Sequence, residues 1–172
     1  MDYVRELGAL VLDHRFRRMT EALLGAQEEL YAAEGLSFRP RWTSTFRLLH
    51  EQGPLAIMEV AERLRLTHPA VIAIAGDMIS AGLVADVRDR ADGRRRLVTL
   101  TPEGRSLAPR LYELQDALAA AQRERFAAAG CDIVPVLDRV DDGLAERSLA
   151  AEVRARLGTA GTPGASPAPR AT

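Results

Sequence analysis

Three consecutive arginines, Arg94, Arg95 and Arg96, follow Asp92-Gly93, a dipeptide that favours a two-residue hairpin turn. Fixed cations at a hairpin tip suit the negative potential of a narrow DNA minor groove. Arg88 stands on the outgoing strand of the same expected hairpin. Upstream, Thr67-His68-Pro69-Ala70-Val71 reads as a helix start, with Thr67 as N-cap and Pro69 tolerated in the first turn. If Val71, Ala75 and Met78 of that helix are buried, its outer positions are Pro69, Ile72, Ala73, Gly76 and Asp77, with Thr67 and His68 at the start. Most of these carry no hydrogen-bond donor, so bidentate base readout by Arg, Asn or Gln is not available from this helix. What it can offer is apolar contact of Ile72 and Ala73 with thymine methyl groups, and bonds from Thr67 and His68 to phosphate or a base edge.

The elements that must hold these residues follow from hydrophobic period. Tyr3, Leu7, Leu10 or Val11, Met19, Leu23 and Leu30 predict one long amphipathic helix over about residues 2–33, ended by Gly35. A second helix is expected over 41–51, carrying Trp42, Phe46 and Leu49 and stopped by Gln52-Gly53-Pro54. Ile57, Val60, Ala61 and Leu64 give a short helix, and a tight link at Leu66-Thr67 leads to the helix just described, which ends at Gly82. Strands over Val84 to Asp89 and Arg96 to Leu100 flank the turn. Thr101-Pro102-Glu103 starts a long helix with a stripe of Leu107, Leu111, Leu114, Leu118 and Ala121. Asp132 caps a last helical region whose Val136, Leu137, Val140 and Leu144 are expected to face inward, with a break near Arg147-Ser148. Residues 158–172, nearly all Gly, Pro, Ala, Thr and Ser, predict a disordered tail.

Helix, tight link, helix and arginine-rich hairpin, in that order, predict a winged helix-turn-helix in a mostly α fold. The run from Gly53 to Arg105 resembles the DNA-binding lobe of the MarR family of bacterial transcriptional regulators, most clearly in Asp92-Gly93-Arg94, Val98-Thr99-Leu100-Thr101 with Gly104, and Ala81-Gly82-Leu83-Val84. A weaker resemblance extends over residues 1–157 to a subgroup sometimes fused to an acetyltransferase domain, which is not expected here. The resemblance implies that Arg94 enters the minor groove with Asp92 steadying its guanidinium, and that effectors bind between the dimer base and the DNA lobe. At Ile72, Ala73 and Gly76 the chain departs from that subgroup, whose members typically carry polar or basic residues there.

The 172 residues suit one ordinary domain. Twenty-three basic residues, all Arg, against 24 acidic ones give a net charge of -1, which excludes a generally polyanion-binding protein of histone type. Residues 54–101 hold seven arginines against six acids, so one copy should bind DNA modestly and two copies better. A homodimer is expected, with 1–39 and 103–157 as dimerisation helices, 40–102 as the DNA-binding lobe, and pseudo-palindromic duplex as partner. Phe38, Trp42 and Phe46 are either plain core or the lining of a small-molecule effector cavity. The one cysteine, Cys131, excludes an internal disulfide framework and fits a cytoplasmic protein; it is either inert or a redox sensor. His14, His50 and His68 lack ligand spacing, so neither metal nor cofactor is expected. No catalytic constellation and no membrane segment are recognisable. The expected function is a DNA-binding regulator, a repressor with effector release; the alternative is a relative that no longer binds DNA and serves as a small-molecule or protein interaction module.

Overall fold

The computed structural model describes residues 2–89, 93 and 95–158. The chain forms two compact units, Met1–Leu118 and Ala119–Thr172. In order, the elements are α1 (Tyr3–Glu6), a 3-10 turn (Gly8–Val11), α2 (Leu12–Ala33), a second 3-10 turn (Pro40–Trp42), α3 (Thr43–Gln52), α4 (Ile57–Leu64), α5 (His68–Ser80), β1 (Val84–Arg88), β2 (Arg96–Leu100), α6 (Pro102–Ala128), α7 (Ile133–Glu146) and α8 (Leu149–Arg156).

The single N-terminal helix expected over 2–33 is broken. Gly8 adopts φ +56°, in the left-handed region that glycine reaches without strain, and the chain re-enters helix only at Leu12. Hydrophobic period cannot register such a break, because the apolar spacing continues across it. Tyr3, Leu10 and Phe16 remain exposed.

Three links place α4, α5 and the hairpin. Between α4 and α5, Arg65 takes up left-handed backbone at φ 51°, and the Leu66 N–H donates to the Ala61 carbonyl at 2.9 Å, closing α4 within one turn. Thr67 then caps α5 by accepting the Ala70 N–H at 3.4 Å. After α5, the Leu83 N–H donates to the Met78 carbonyl at 3.0 Å, which turns the chain into β1.

The wing is an antiparallel pair in the register Val84↔Leu100 through Arg88↔Arg96, and Leu55 adds a bridge to Val98 through bonds of 2.8 and 3.1 Å. Period-two alternation turns Val84, Val98 and Leu100 into the core. There they join Phe46, Leu49, Val60, Val71, Ala75, Met78 and Leu111 in one apolar cluster. Fully burying each of these side chains other than Ala75 contributes about 1.5–3 kcal/mol. At the start of α6 the Thr101 hydroxyl donates to the Gly82 carbonyl at 2.7 Å and accepts the Gly104 N–H at 3.0 Å, tying the new helix to the end of α5.

In the second unit the stripe expected to face inward does not. Leu137, Val140 and Leu144 are 43%, 49% and 53% exposed, and none of the described residues of that unit is buried. The helix is present as the period predicts, but within this unit α7 and α8 form no second layer deep enough to cover the stripe.

Candidate nucleic-acid interface

Burial of Val71, Ala75 and Met78 fixes the rotation of α5 and leaves Pro69, Ile72, Ala73, Gly76, Ile79 and Ser80 exposed. Asp77 is withdrawn from this face, half-buried and paired with Arg41 from the turn before α3. The Ser80 hydroxyl donates to the Gly76 carbonyl at 2.9 Å. Thr67 and His68 are exposed at the start of the helix, with the Thr67 hydroxyl engaged as the cap. The outer face of α5 is therefore apolar from Pro69 to Ile79, with Thr67 and His68 before it and Ser80 after it, and Ile79 belongs to it as well as the residues expected from the sequence.

The wing stands beside this face. Ile72, Gly76 and Ile79 of α5 line one cleft of about 220 Å³ together with Arg96, Leu97 and Val98 of β2, Asp86 of β1 and Ile57 of α4. Arg88 and Arg96 are exposed and directly opposite one another across the strands. Two of the arginines carry carboxylate partners that the sequence reading did not identify. The Arg96 Nε donates to Asp86 Oδ1 at 3.0 Å, and this bond holds the guanidinium more firmly protonated than usual. Arg95 reaches Glu59 of α4 at 2.7 Å and lies 3.9 Å from Asp89. Glu59 also accepts the Ala56 N–H at 2.7 Å, so one carboxylate caps α4 and anchors the base of the wing. The Ala56 N–H, followed by Arg95, lowers the Glu59 pKa below its ordinary value. Asp86 was legible from the hairpin register, since it shares a face with Arg96 on the diagonal. Glu59 had only its N3 position as a signal. Asp92 and Arg94, the groove-entering pair implied by the family resemblance, lie outside the described residues.

Comparison with known proteins meets the same segment. The sequence profile of the MarR family matches residues 34–95, which run from the end of α2 into the wing. Residues 34–95 are similar to the winged helix of that family. Solved regulators share the fold over most of both chains. PcaV from Streptomyces coelicolor, solved in complex with its natural ligand, is 24% identical over 79% of this chain and 94% of its own, with a TM-score of 0.62. BpsR from Bordetella bronchiseptica, whose DNA binding is regulated by 6-hydroxynicotinic acid, is 22% identical over 76% and 92%, with a TM-score of 0.61. MepR from S. aureus, solved as a DNA complex, is 17% identical over 78% and 93%, with a TM-score of 0.57. No curated protein sequence matches the chain.

The aromatic candidates Phe38, Trp42 and Phe46 are 5%, 4% and 0% exposed. Phe38 meets Tyr31, Trp42 and Phe46 edge to face at centroid distances of 5.6, 5.6 and 5.3 Å, an arrangement that favours core packing. Among the described residues, Trp42 Nε1, Thr45 Oγ1 and the Tyr112 hydroxyl are buried polar atoms without a hydrogen-bond partner. Below them, Arg47 stacks over the Tyr112 ring at 4.2 Å and donates to Gln115, which in turn donates to Tyr31 and Thr43. Burial pushes the Tyr112 phenol above its ordinary pKa. Cys131 is half-buried in the connection between α6 and α7. No group of His, Cys, Asp or Glu among the described residues could hold a metal ion, and no helix among them is long and apolar enough to cross a membrane.

Proposed function

We propose that this chain is a homodimeric, DNA-binding transcriptional regulator of the bacterial cytoplasm, acting as a repressor at pseudo-palindromic operators. The observation that carries the proposal is the single cleft lined by α5 and β2, which sets an exposed helix beside an arginine-bearing hairpin. A helix and a neighbouring hairpin at that spacing suit a major groove and the adjoining minor groove. The MarR-family match over residues 34–95 supports the same reading. Thr67, His68, Pro69, Ile72 and Ala73 would face the major groove, Arg94 would enter the minor groove beside Asp92, and Arg88 and Arg96 would meet phosphate. The Glu59 and Asp89 contacts of Arg95 favour a positioning role for that residue at the wing base.

The exposed apolar faces of the terminal helices, Leu10, Phe16 and Met19 on one side and Leu137, Val140 and Leu144 on the other, favour dimerisation over residues 1–39 and 103–157. The orphaned polar atoms at Trp42, Thr45 and Tyr112 support effector binding beside Phe38 and Phe46, with release from DNA following a change in lobe separation. No enzymatic step is assigned to the chain.

Fluorescence anisotropy on random-sequence duplexes at low and high salt tests the reading. Binding should weaken steeply with salt, and Arg94→Ala and Arg96→Ala should each weaken it while leaving the melting temperature unchanged. Absence of duplex binding at low ionic strength, or affinity unchanged in both variants, would refute it in favour of an interaction module. A stable monomer by light scattering at micromolar concentration would remove the dimer.

A further inference from the structure

We infer that the Ile72–Ile79 stretch of α5 distinguishes the base pairs it covers by the pyrimidine 5-methyl group, accepting thymine and 5-methylcytosine alike and disfavouring unmethylated cytosine and uracil. The inference rests on the DNA-binding reading above and specifies what that binding selects.

Beyond Thr67 and His68 at its start, α5 presents no free polar side chain along the middle of its outer face. Val71, Ala75 and Met78 are buried, Asp77 is engaged by Arg41, and the Ser80 hydroxyl is bonded back to the helix carbonyl of Gly76. The Thr67 hydroxyl is used as the helix cap. What stands outward along the middle of the helix is Ile72, Ala73, Gly76 and Ile79. Gly76 is a bare notch: a Cβ placed there would meet nothing within 4 Å. Ile72 and Ile79 flank it at i-4 and i+3, 51% and 41% exposed, so they make the α5 wall of the cleft apolar on both sides of the notch, across from the Arg96–Asp86 pair of the wing.

In the major groove the four base pairs differ in two ways, by the pattern of donors and acceptors and by the presence of the thymine methyl. A surface without free donors or acceptors cannot read the first. It can read the second, because a methyl seated between two isoleucines leaves water and an unmethylated position does not. An A·T pair and a G·5-methylcytosine pair present that methyl at the same place, and nothing on the Ile72–Ile79 stretch can tell their remaining edges apart. Burial of about one methyl group corresponds to roughly a fourfold change in affinity at each pair read.

The test starts from a random duplex pool enriched on the full-length chain. At each half-site position where thymine is selected, four duplexes are made that differ in one pair: A·T, A·U, G·5-methylcytosine and G·C. The expected result is that A·T and G·5-methylcytosine bind alike, with A·U and G·C each about fourfold weaker. Ile72→Ala, a change at an exposed position, should compress that difference among the four duplexes. If affinity instead follows the base pair, with A·U matching A·T and 5-methylcytosine matching cytosine, or if all four duplexes bind equally, the methyl inference is overturned while the DNA-binding reading stands. A pool that yields no bound duplex at any salt concentration overturns both.

Discussion

Two glycines in helices of the same lobe should respond in opposite directions to the same substitution, Gly→Ala. Within a helix this change is intrinsically favourable by about 0.5–1 kcal/mol, because alanine has less backbone entropy to lose. At Gly76, where an added Cβ meets nothing within 4 Å, that gain should appear nearly whole. At Gly104 the added Cβ would overlap the Leu83 carbonyl oxygen, with the carbonyl carbon at 3.2 Å and Leu100 Cβ at 3.5 Å. The obstacle is backbone, and Leu83 is held on both sides: its N–H donates to Met78 and its carbonyl accepts the Thr101 N–H, each at 3.0 Å. Neither partner can yield without opening the junction of α5, β1 and α6. Overpacking of this kind costs roughly 1–3 kcal/mol, and the rigid surroundings place Gly104 in the upper half of that range. After subtracting the helix gain, Gly104→Ala should lose about 1–2 kcal/mol. At some 2–4 °C per kcal/mol for a chain of this length, that lowers the melting temperature by roughly 2–8 °C, while Gly76→Ala raises it by roughly 1–4 °C. Thermal melts by circular dichroism at one fixed protein concentration measure both. Equal shifts of the same sign would show that the close approach of α6 to the wing does not exist as described.

The remaining predictions concern polar groups. Glu59, whose pKa is lowered by the Ala56 N–H and then by Arg95, contributes stability that is present above its ordinary carboxylate pKa and is lost as pH falls through the lower folded value. Glu59→Gln should therefore lower the melting temperature at neutral pH and flatten its fall in acid, and an acid melt as steep as that of the parent would count against the role of Glu59 at the wing base. Tyr112→Phe removes a buried hydroxyl that has no partner among the described residues, so stability should hold or rise by up to about 1 kcal/mol; a clear loss in urea titration would mean that the hydroxyl is bonded. Asp77→Asn removes an anion from the flank of α5 and frees Arg41, so affinity for unselected duplex should rise and the salt slope should steepen; unchanged affinity would place Asp77 and Arg41 away from the DNA.

The contrast between α5 and α7 explains what was legible in the sequence. Both show a clear helical stripe, and in both the spacing gave the helix. On α5 the stripe of Val71, Ala75 and Met78 is buried where the helix packs on α4, β1 and the Pro40–Trp42 turn, so the burial that period alone predicts is found. On α7 the stripe of Leu137, Val140 and Leu144 stays exposed, because period reports only which residues share a face. The same limit hid Glu59 and Asp89 as partners of Arg95. Opposite charges attract over any sequence separation, and only the fold brings residue 59 within 2.7 Å of residue 95. Runs of arginine therefore overstate the free positive charge of a wing: Arg95 and Arg96 both meet carboxylates supplied by the lobe itself. Those contacts reduce the electrostatic share of any DNA affinity. Since the middle of α5 supplies no base-directed donor to compensate, discrimination in a lobe of this kind falls to an apolar contact such as a methyl pocket, to Thr67 and His68 at the helix start, or to a second copy that supplies through geometry what a single lobe lacks.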